Sequence, residues 1–179
     1  MTPSPPENYF QFEKLLVELV HAGVDFAVVG GVAVSLNGFV RATDDLDVIV
    51  QQSPENIRRL LGCLSHWGEG WARELKEEDF IAQEGSIRVF EDFDLDIFTR
   101  MRGRSLDDFR PRLRYLTVGN ARIPYLDAAD LVFLKAGSWR EKDQVRNRSK
   151  GGHCKPFELK DCRNSFGFTA NERRRSVAD

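Results

Sequence analysis

Apolar residues recur at helical spacing in three segments of the chain. In residues 10–22 they stand at positions 12, 15, 16, 19 and 20, and Gly23 follows as a natural helix stop. A second helix is predicted after Ser53-Pro54, because Ser is a good N-cap and Pro suits the first helical position. The third runs from residue 128 to about residue 139, with Asp127 as its cap.

Short runs rich in β-branched and aromatic residues predict the strands. We place them at residues 25–29, 46–50, 80–82, 86–90, 93–99, 115–118 and 121–125. Gly119-Asn120 separates the last two by the two residues of a hairpin turn. Gly30-Gly31 ends the first strand and begins a short helix at residues 32–36. This order of elements predicts an α/β or α+β domain with a mixed sheet.

The helical and strand patterns stop after Asp143. We therefore predict one domain over residues 1–143 and an irregular or disordered basic tail over residues 144–179. The tail has nine Lys and Arg against four acids, and residues 100–114 have six Arg against two Asp. The net charge of the chain is only −2, so any phosphate-binding surface has to be a local patch of this kind. The tail is better explained as a solvated face, and for residues 100–114 a solvated face is an equal alternative.

The N-terminal residues lack the basic and apolar regions of a signal peptide, and no apolar run has the roughly 18 residues of a membrane span. The three cysteines are irregularly spaced, which is more typical of a reducing compartment than of a disulfide framework. We therefore expect a cytoplasmic protein that does not contact a membrane.

Two strands carry paired acids between apolar residues. Asp45 and Asp47 lie in "DLDVIV", and Asp94 and Asp96 lie in "FDLDIF". Residues i and i+2 of a strand face the same side, so each pair presents two carboxylates that repel one another. A hard divalent cation relieves this repulsion, and three acids on neighbouring strands can hold two such ions. The alternative is a solvated sheet edge whose acids prevent aggregation.

The Gly pair before these acids allows more than one interpretation. No Lys follows it, which excludes a Walker loop, and the next glycine is Gly38, which is too distant for a dinucleotide fingerprint. A turn from strand to helix at Gly30-Gly31 could hold phosphate with its exposed amides, or it could be a plain tight turn.

Together these motifs resemble the nucleotidyltransferase superfamily, whose members share the DNA polymerase beta-like fold. The family pattern is a strand, Gly-Gly or Gly-Ser, a helix, then two acids in alternation and a third on a later strand. "RATDDLD" is similar to the version found in small bacterial members related to abortive-infection and toxin–antitoxin proteins. The resemblance covers about residues 10–143 and implies a mixed, twisted sheet flanked by helices.

By this resemblance the chain would transfer a nucleotide from an NTP and release pyrophosphate. Asp45, Asp47 and Asp96 would bind Mg²⁺ or Mn²⁺, and Asp96 would also deprotonate or orient the acceptor hydroxyl. Asp96 is preferred to Asp94 as the third acid because two apolar residues follow it, as in the family. The amides near Gly30-Gly31 would hold the phosphates.

The same resemblance implies further phosphate-binding residues. Lys135 and Arg140 would counter phosphate charge, although Lys135 could equally be a surface lysine of its helix. Arg41 would bridge to the acids or to a phosphate, or pair with Asp44, and Thr43 completes the motif before the acids. The implied partners are an NTP, an acceptor that is RNA, protein or a small molecule, and a cognate toxin or antitoxin.

The chain departs from the family after Asp143, where Arg146 stands in place of a second Asp and the helical pattern ends. This departure leaves a second hypothesis, a non-catalytic, antitoxin-like module that keeps the fold and binds a partner. A metal-dependent phosphodiesterase or nuclease that uses the same acids is a third.

Overall fold

The computed structural model describes residues 7–39, 43–68, 71–90 and 92–136. The α-helices within these ranges are α1 (Glu7–His21), α2 (Gly30–Leu36), α3 (Pro54–Leu64), α4 (Leu106–Phe109) and α5 (Ala128–Lys135). The strands are β1 (Phe26–Val29), β2 (Asp45–Val50), β3 (Ser86–Phe90), β4 (Asp94–Phe98), β5 (Arg114–Val118) and β6 (Ala121–Tyr125). No described helix is both long enough and apolar enough to cross a bilayer.

The strands form one mixed sheet in the order β3-β4-β2-β1-β6-β5. β2 pairs in parallel with β4, and β1 in parallel with β6, whereas the remaining neighbours are antiparallel. The predicted hairpin of β5 and β6 is present, and the prediction of an α/β domain with a mixed sheet is confirmed.

The core covers both faces of the central strand β1. Its four residues are all buried, although alternate side chains point to opposite faces of the sheet. The apolar stripe predicted for α1 supplies buried residues, including Phe12, Leu15 and Leu19. The ring of Phe12 meets the ring of Phe93 edge to face at 4.7 Å between centroids, which joins α1 to the residue before β4.

Helix α3 is anchored through the buried side chain of Asn56. Ser53 is its N-cap, as predicted, and accepts a hydrogen bond from the Asn56 N–H. The Asn56 amide accepts from the Asp25 N–H at 2.7 Å and donates to the Asp25 and Gln51 carbonyls at 2.9 and 2.7 Å. One side chain therefore joins the start of α3 to the residues beside β1 and β2.

One predicted strand is wrong and one helix was missed. Residues 80–82 form no strand, because Phe80 follows a 3₁₀ turn (Glu77–Asp79) and its carbonyl accepts a hydrogen bond from the Gln52 side chain. The helix α4 has only four residues, too few for an apolar period, and its sole sequence signal is the capping box of Ser105 and Asp108. The predicted end of α5, at residues 137–139, lies outside the described residues.

We expect Asn56→Ala to destabilise the fold by about 2 to 4 kcal/mol, because it removes three hydrogen bonds between this buried side chain and the part-buried backbone of Asp25 and Gln51. Urea denaturation measures this free energy of unfolding. Its control is Glu55→Ala, one residue earlier on α3, which removes an exposed ion pair with Arg59 and the acid of the first helical turn and should cost about 0.5 to 1 kcal/mol. Equal losses in the two variants would contradict an anchoring role for Asn56.

Candidate active site

Three carboxylates meet where β2 and β4 run side by side. The parallel register sets Asp45 beside Asp94 and Asp47 beside Asp96. Among the described residues, Asp45, Asp47 and Asp96 each have an oxygen within 4.8 Å of the other two. Asp94 is not part of this cluster, so the structure brings together the three acids that the sequence analysis preferred.

The alternation of the two strands creates this cluster. Leu46 and Val48 of β2, and Leu95 and Ile97 of β4, are at most 2% exposed and point into the core. Their burial fixes the register of both strands, since a slip by one residue would turn the acids inward. The hydrophobic core therefore holds the carboxylates on the opposite face.

The Gly pair lies against these acids. Gly30 begins α2 with φ +60°, a left-handed conformation that costs other residues about 1 to 2 kcal/mol. A Cβ atom at Gly30 would lie 1.9 Å from Oδ2 of Asp47, and one at Gly31 would lie 2.7 Å from Oγ1 of Thr43. Both glycines are needed for space, and the Gly31 N–H donates a hydrogen bond to Asp47. The structure thus gives the pair a direct role in positioning an acid.

Thr43 and Arg88 fix the other two carboxylates. The buried Thr43 hydroxyl donates to a carboxylate oxygen of Asp45. Arg88 of β3 stands opposite Asp96 and donates to both its oxygens, from Nε at 2.9 Å and from Nη2 at 2.6 Å. This geometry, together with a hydrogen bond from Ser86, holds the pKa of Asp96 below its usual range.

Arg88 is a residue of this site that the sequence did not predict. Its only local signal is a basic residue on the polar face of the alternating strand "SIRVF". Its partner became evident only from the antiparallel register of β3 and β4, which places the two residues opposite each other.

Asp47 shows that the cluster carries an excess of negative charge. Burial, followed by the charges of Asp45 and Asp96, raises its pKa to about 6. Arg88 and the Gly31 N–H only partly oppose this increase. A set of carboxylate oxygens with unbalanced negative charge suits a hard divalent cation such as Mg²⁺, so the residues fit the predicted metal.

Three further residues, Lys135, Arg41 and Arg140, are predicted to bind phosphate. Lys135 is exposed at the end of α5, whereas Arg41 and Arg140 lie outside the described residues. The predicted irregular tail also lies outside them.

The arginines of residues 100–114 have partners within the chain. Arg112 and Arg104 both pair with the buried Asp130 of α5. Arg102 and Arg104 also stack on the ring of Phe133, with the guanidinium carbon 4.5 and 3.8 Å from its centroid. These contacts join the segment before β5 to α5. That residues 100–114 form a phosphate-binding or acceptor-binding surface stays a prediction.

Comparison with known proteins gave a family and a fold. The family described as nucleotidyltransferase of unknown function (DUF6036) matches residues 9–150. A solved structure of a proposed nucleotidyltransferase from Thermotoga maritima is 17% identical and superposes with a TM-score of 0.55, over 82% of this chain and 95% of that one. At 17% identity, this similarity shows a shared fold and nothing about function. No curated protein matches the chain.

We expect Mg²⁺ to raise the melting temperature of the wild-type chain, and Gly30→Ala to destabilise the protein and abolish this response, because the new methyl group displaces Asp47. Thermal melting with and without Mg²⁺ measures both effects. Gly119→Ala is the matched control: its φ of +58° is nearly the same, but its Cβ would meet open space. The control should lose only about 1 to 2 kcal/mol and keep the Mg²⁺ response. An unchanged Mg²⁺ response in Gly30→Ala would contradict the steric argument.

Asp47 also predicts a pH dependence of stability. Its raised pKa means that the folded chain favours the protonated form, so its stabilisation is complete below about pH 4 and is lost as pH rises through about 6. In EDTA, Asp47→Asn should therefore be more stable than wild type at pH 7.5, by at most about 3 kcal/mol, and the two should converge near pH 4.

Denaturant titrations at the two pH values measure this difference. Asp44→Asn, at the exposed neighbouring residue, is the control and should change stability by less than about 0.5 kcal/mol at either pH. A stabilisation by Asp47→Asn that persists undiminished at pH 4 would refute the assignment to Asp47 ionisation.

Proposed function

From the premise that the chain belongs to the nucleotidyltransferase family of unknown function (DUF6036), we propose that it transfers a nucleoside monophosphate from an NTP to an acceptor hydroxyl. The observation that carries this proposal is the approach of Asp45, Asp47 and Asp96 within 4.8 Å on adjacent strands. Such a cluster is costly in a protein without a cation, and catalysis of phosphate chemistry gives it a purpose.

Asp45, Asp47 and Asp96 would hold Mg²⁺ or Mn²⁺, with oxygen ligands only. When bound, the metal supplies charge neutralisation for the triphosphate and lowers the pKa of a coordinated hydroxyl. The chain's own contribution is to keep the three carboxylates in place, through Thr43 on Asp45, the Gly31 N–H on Asp47 and Arg88 on Asp96.

The acceptor hydroxyl oxygen attacks the α-phosphorus and forms the new P–O bond. The bond from this phosphorus to the bridging oxygen breaks in line, and the electron pair leaves with pyrophosphate. Since Arg88 keeps the pKa of Asp96 low, we assign Asp96 to orienting the hydroxyl rather than to storing its proton, which passes to solvent.

The phosphates would lie on the side of the acids formed by α2. Helix α2 contacts β2 and α5, so the first turn of α2 and Lys135 of α5 are the candidates to hold them. The Gly31 N–H is occupied because it donates to Asp47. The other amides of the first turn of α2 would therefore be the ones that bind the phosphates. Arg41 and Arg140 stay candidates from the sequence alone.

The acceptor and the toxin or antitoxin partner follow from the resemblance, and a cytoplasmic location follows from the cysteine pattern and the N-terminal residues; all three stay proposals. The non-catalytic alternative rests on the basic tail, which lies outside the described residues. A nuclease acting through the same acids differs in its products, because it would release no pyrophosphate from an NTP.

We expect the wild-type chain with Mg²⁺ to transfer label from at least one α-³²P-labelled NTP to an RNA, protein or small-molecule acceptor and to release pyrophosphate. Asp45→Asn/Asp47→Asn should lose at least about 10³-fold in rate, since it removes the charge that holds the cation. Asp44→Asn removes only the exposed acid next to Asp45, keeps all three clustered carboxylates, and should retain full activity. Equal transfer by wild type and the double variant with every acceptor would exclude the proposed function.

A further inference from the structure

The edge strand β3 places three side chains on the face of the sheet that carries the acids. Its register sets Ser86 opposite Phe98, Arg88 opposite Asp96 and Phe90 opposite Asp94, and directly opposed residues share a face. Between them, Ile87 and Val89 point to the other face, where Val89 is buried. The polar and aromatic side chains of β3 therefore extend the acid face by one strand.

Phe90 is the unusual member of this group. Its side chain is 61% exposed, although its strand neighbour Val89 is only 4% exposed. It adds little to the core, and it stands one strand from Asp94, which is itself beside Asp45. An exposed ring next to a phosphate-chemistry site is a surface on which a planar base can stack.

Arg88 adds a cation beside this ring. Its bonds to Asp96 use Nε and one N–H of Nη2, and its side chain is 48% exposed. The guanidinium thus has further donors with which to bind a phosphate while it stays on Asp96. Arg88 and Phe90 are two residues apart on one strand, so a backbone phosphate and its base could meet them together.

The position of β3 assigns these side chains to the acceptor rather than to the NTP. Across the sheet the order is β1 with α2, then Asp47 on β2, Asp96 on β4 and finally Arg88 on β3. The proposed function, on which this inference rests, puts the triphosphate at α2. Because attacking and leaving oxygens lie in line, the acceptor has to approach from the opposite side, where β4 and β3 stand.

We propose that β3 is the acceptor-binding strand and that the acceptor is the end of a single-stranded nucleic acid, with one base stacked on Phe90 and an adjacent phosphate bound by Arg88. The terminal nucleotides of a strand present a base and an adjacent phosphate that match the ring and the guanidinium, whereas a protein hydroxyl by itself presents neither. The reaction then adds a nucleotide to a nucleic-acid end.

The test measures binding without catalysis. The full chain with Mg²⁺ and no NTP is titrated into a fluorescein-labelled single-stranded RNA 12-mer and a DNA 12-mer, followed by anisotropy. Phe90→Ala should raise the dissociation constant at least about five-fold, because stacking of one base contributes about 1 to 3 kcal/mol. Phe90→Trp should bind at least as tightly as wild type. Tighter binding of one of the two oligonucleotides shows whether the acceptor is RNA or DNA.

Phe10→Ala is the matched control, since Phe10 on α1 is also 61% exposed. It should leave the dissociation constant unchanged. Wild type that binds neither oligonucleotide, Phe90→Ala that binds like wild type, or an equal loss in Phe10→Ala would each overturn the proposal. Melting curves of the variants confirm that each is folded before titration.

The two proposals fail in distinguishable ways. Transfer of label to a protein, with no oligonucleotide binding, would refute the acceptor strand and leave the proposed function in place. Binding that depends on Phe90, without transfer from any NTP, would uphold β3 as a nucleic-acid surface and refute the nucleotidyl transfer.

Discussion

Repulsion among three carboxylates is the interaction around which the rest of the site is arranged. Asp45, Asp47 and Asp96 have oxygens within 4.8 Å of one another, and the pKa of Asp47 rises to about 6 as a result of its burial and of these neighbours. Each acid accepts a hydrogen bond from a different kind of group: Asp45 from a hydroxyl, Asp47 from a backbone amide and Asp96 from a guanidinium. The fold therefore maintains a charge imbalance that either a bound cation or protonation of Asp47 would relieve.

The parts of this site that follow a local period could be predicted from the sequence. Alternation of acids with Leu46, Val48, Leu95 and Ile97 specifies which face each carboxylate takes, because strand geometry alone decides it. Arg88 could not be predicted, since its role depends on which strand pairs with β4 and in which register. Asn56 was missed for the same reason, because its partners are brought together only by the tertiary fold.

Composition proved less informative than pattern. The six arginines of residues 100–114 suggested a surface for phosphates, yet Arg102, Arg104 and Arg112 are engaged with Asp130 and Phe133 of α5. Arg pairs with carboxylates and stacks on aromatic rings as readily as it binds phosphate, so its count does not distinguish these roles. Residues 80–82 show the same limit for strands, since this β-rich tripeptide follows a 3₁₀ turn and forms no ladder.

The close contact between Gly30 and Asp47 also constrains how this sequence can change. A side chain at position 30 would occupy the space of the Asp47 carboxylate, so the two positions cannot vary independently. A lineage that loses the acid has room for a side chain at position 30, at the cost of its left-handed φ, whereas the reverse order requires a chain in which the new side chain and the carboxylate overlap. Among relatives with this geometry, a residue larger than glycine at that position would therefore mark a site that has already lost its acid.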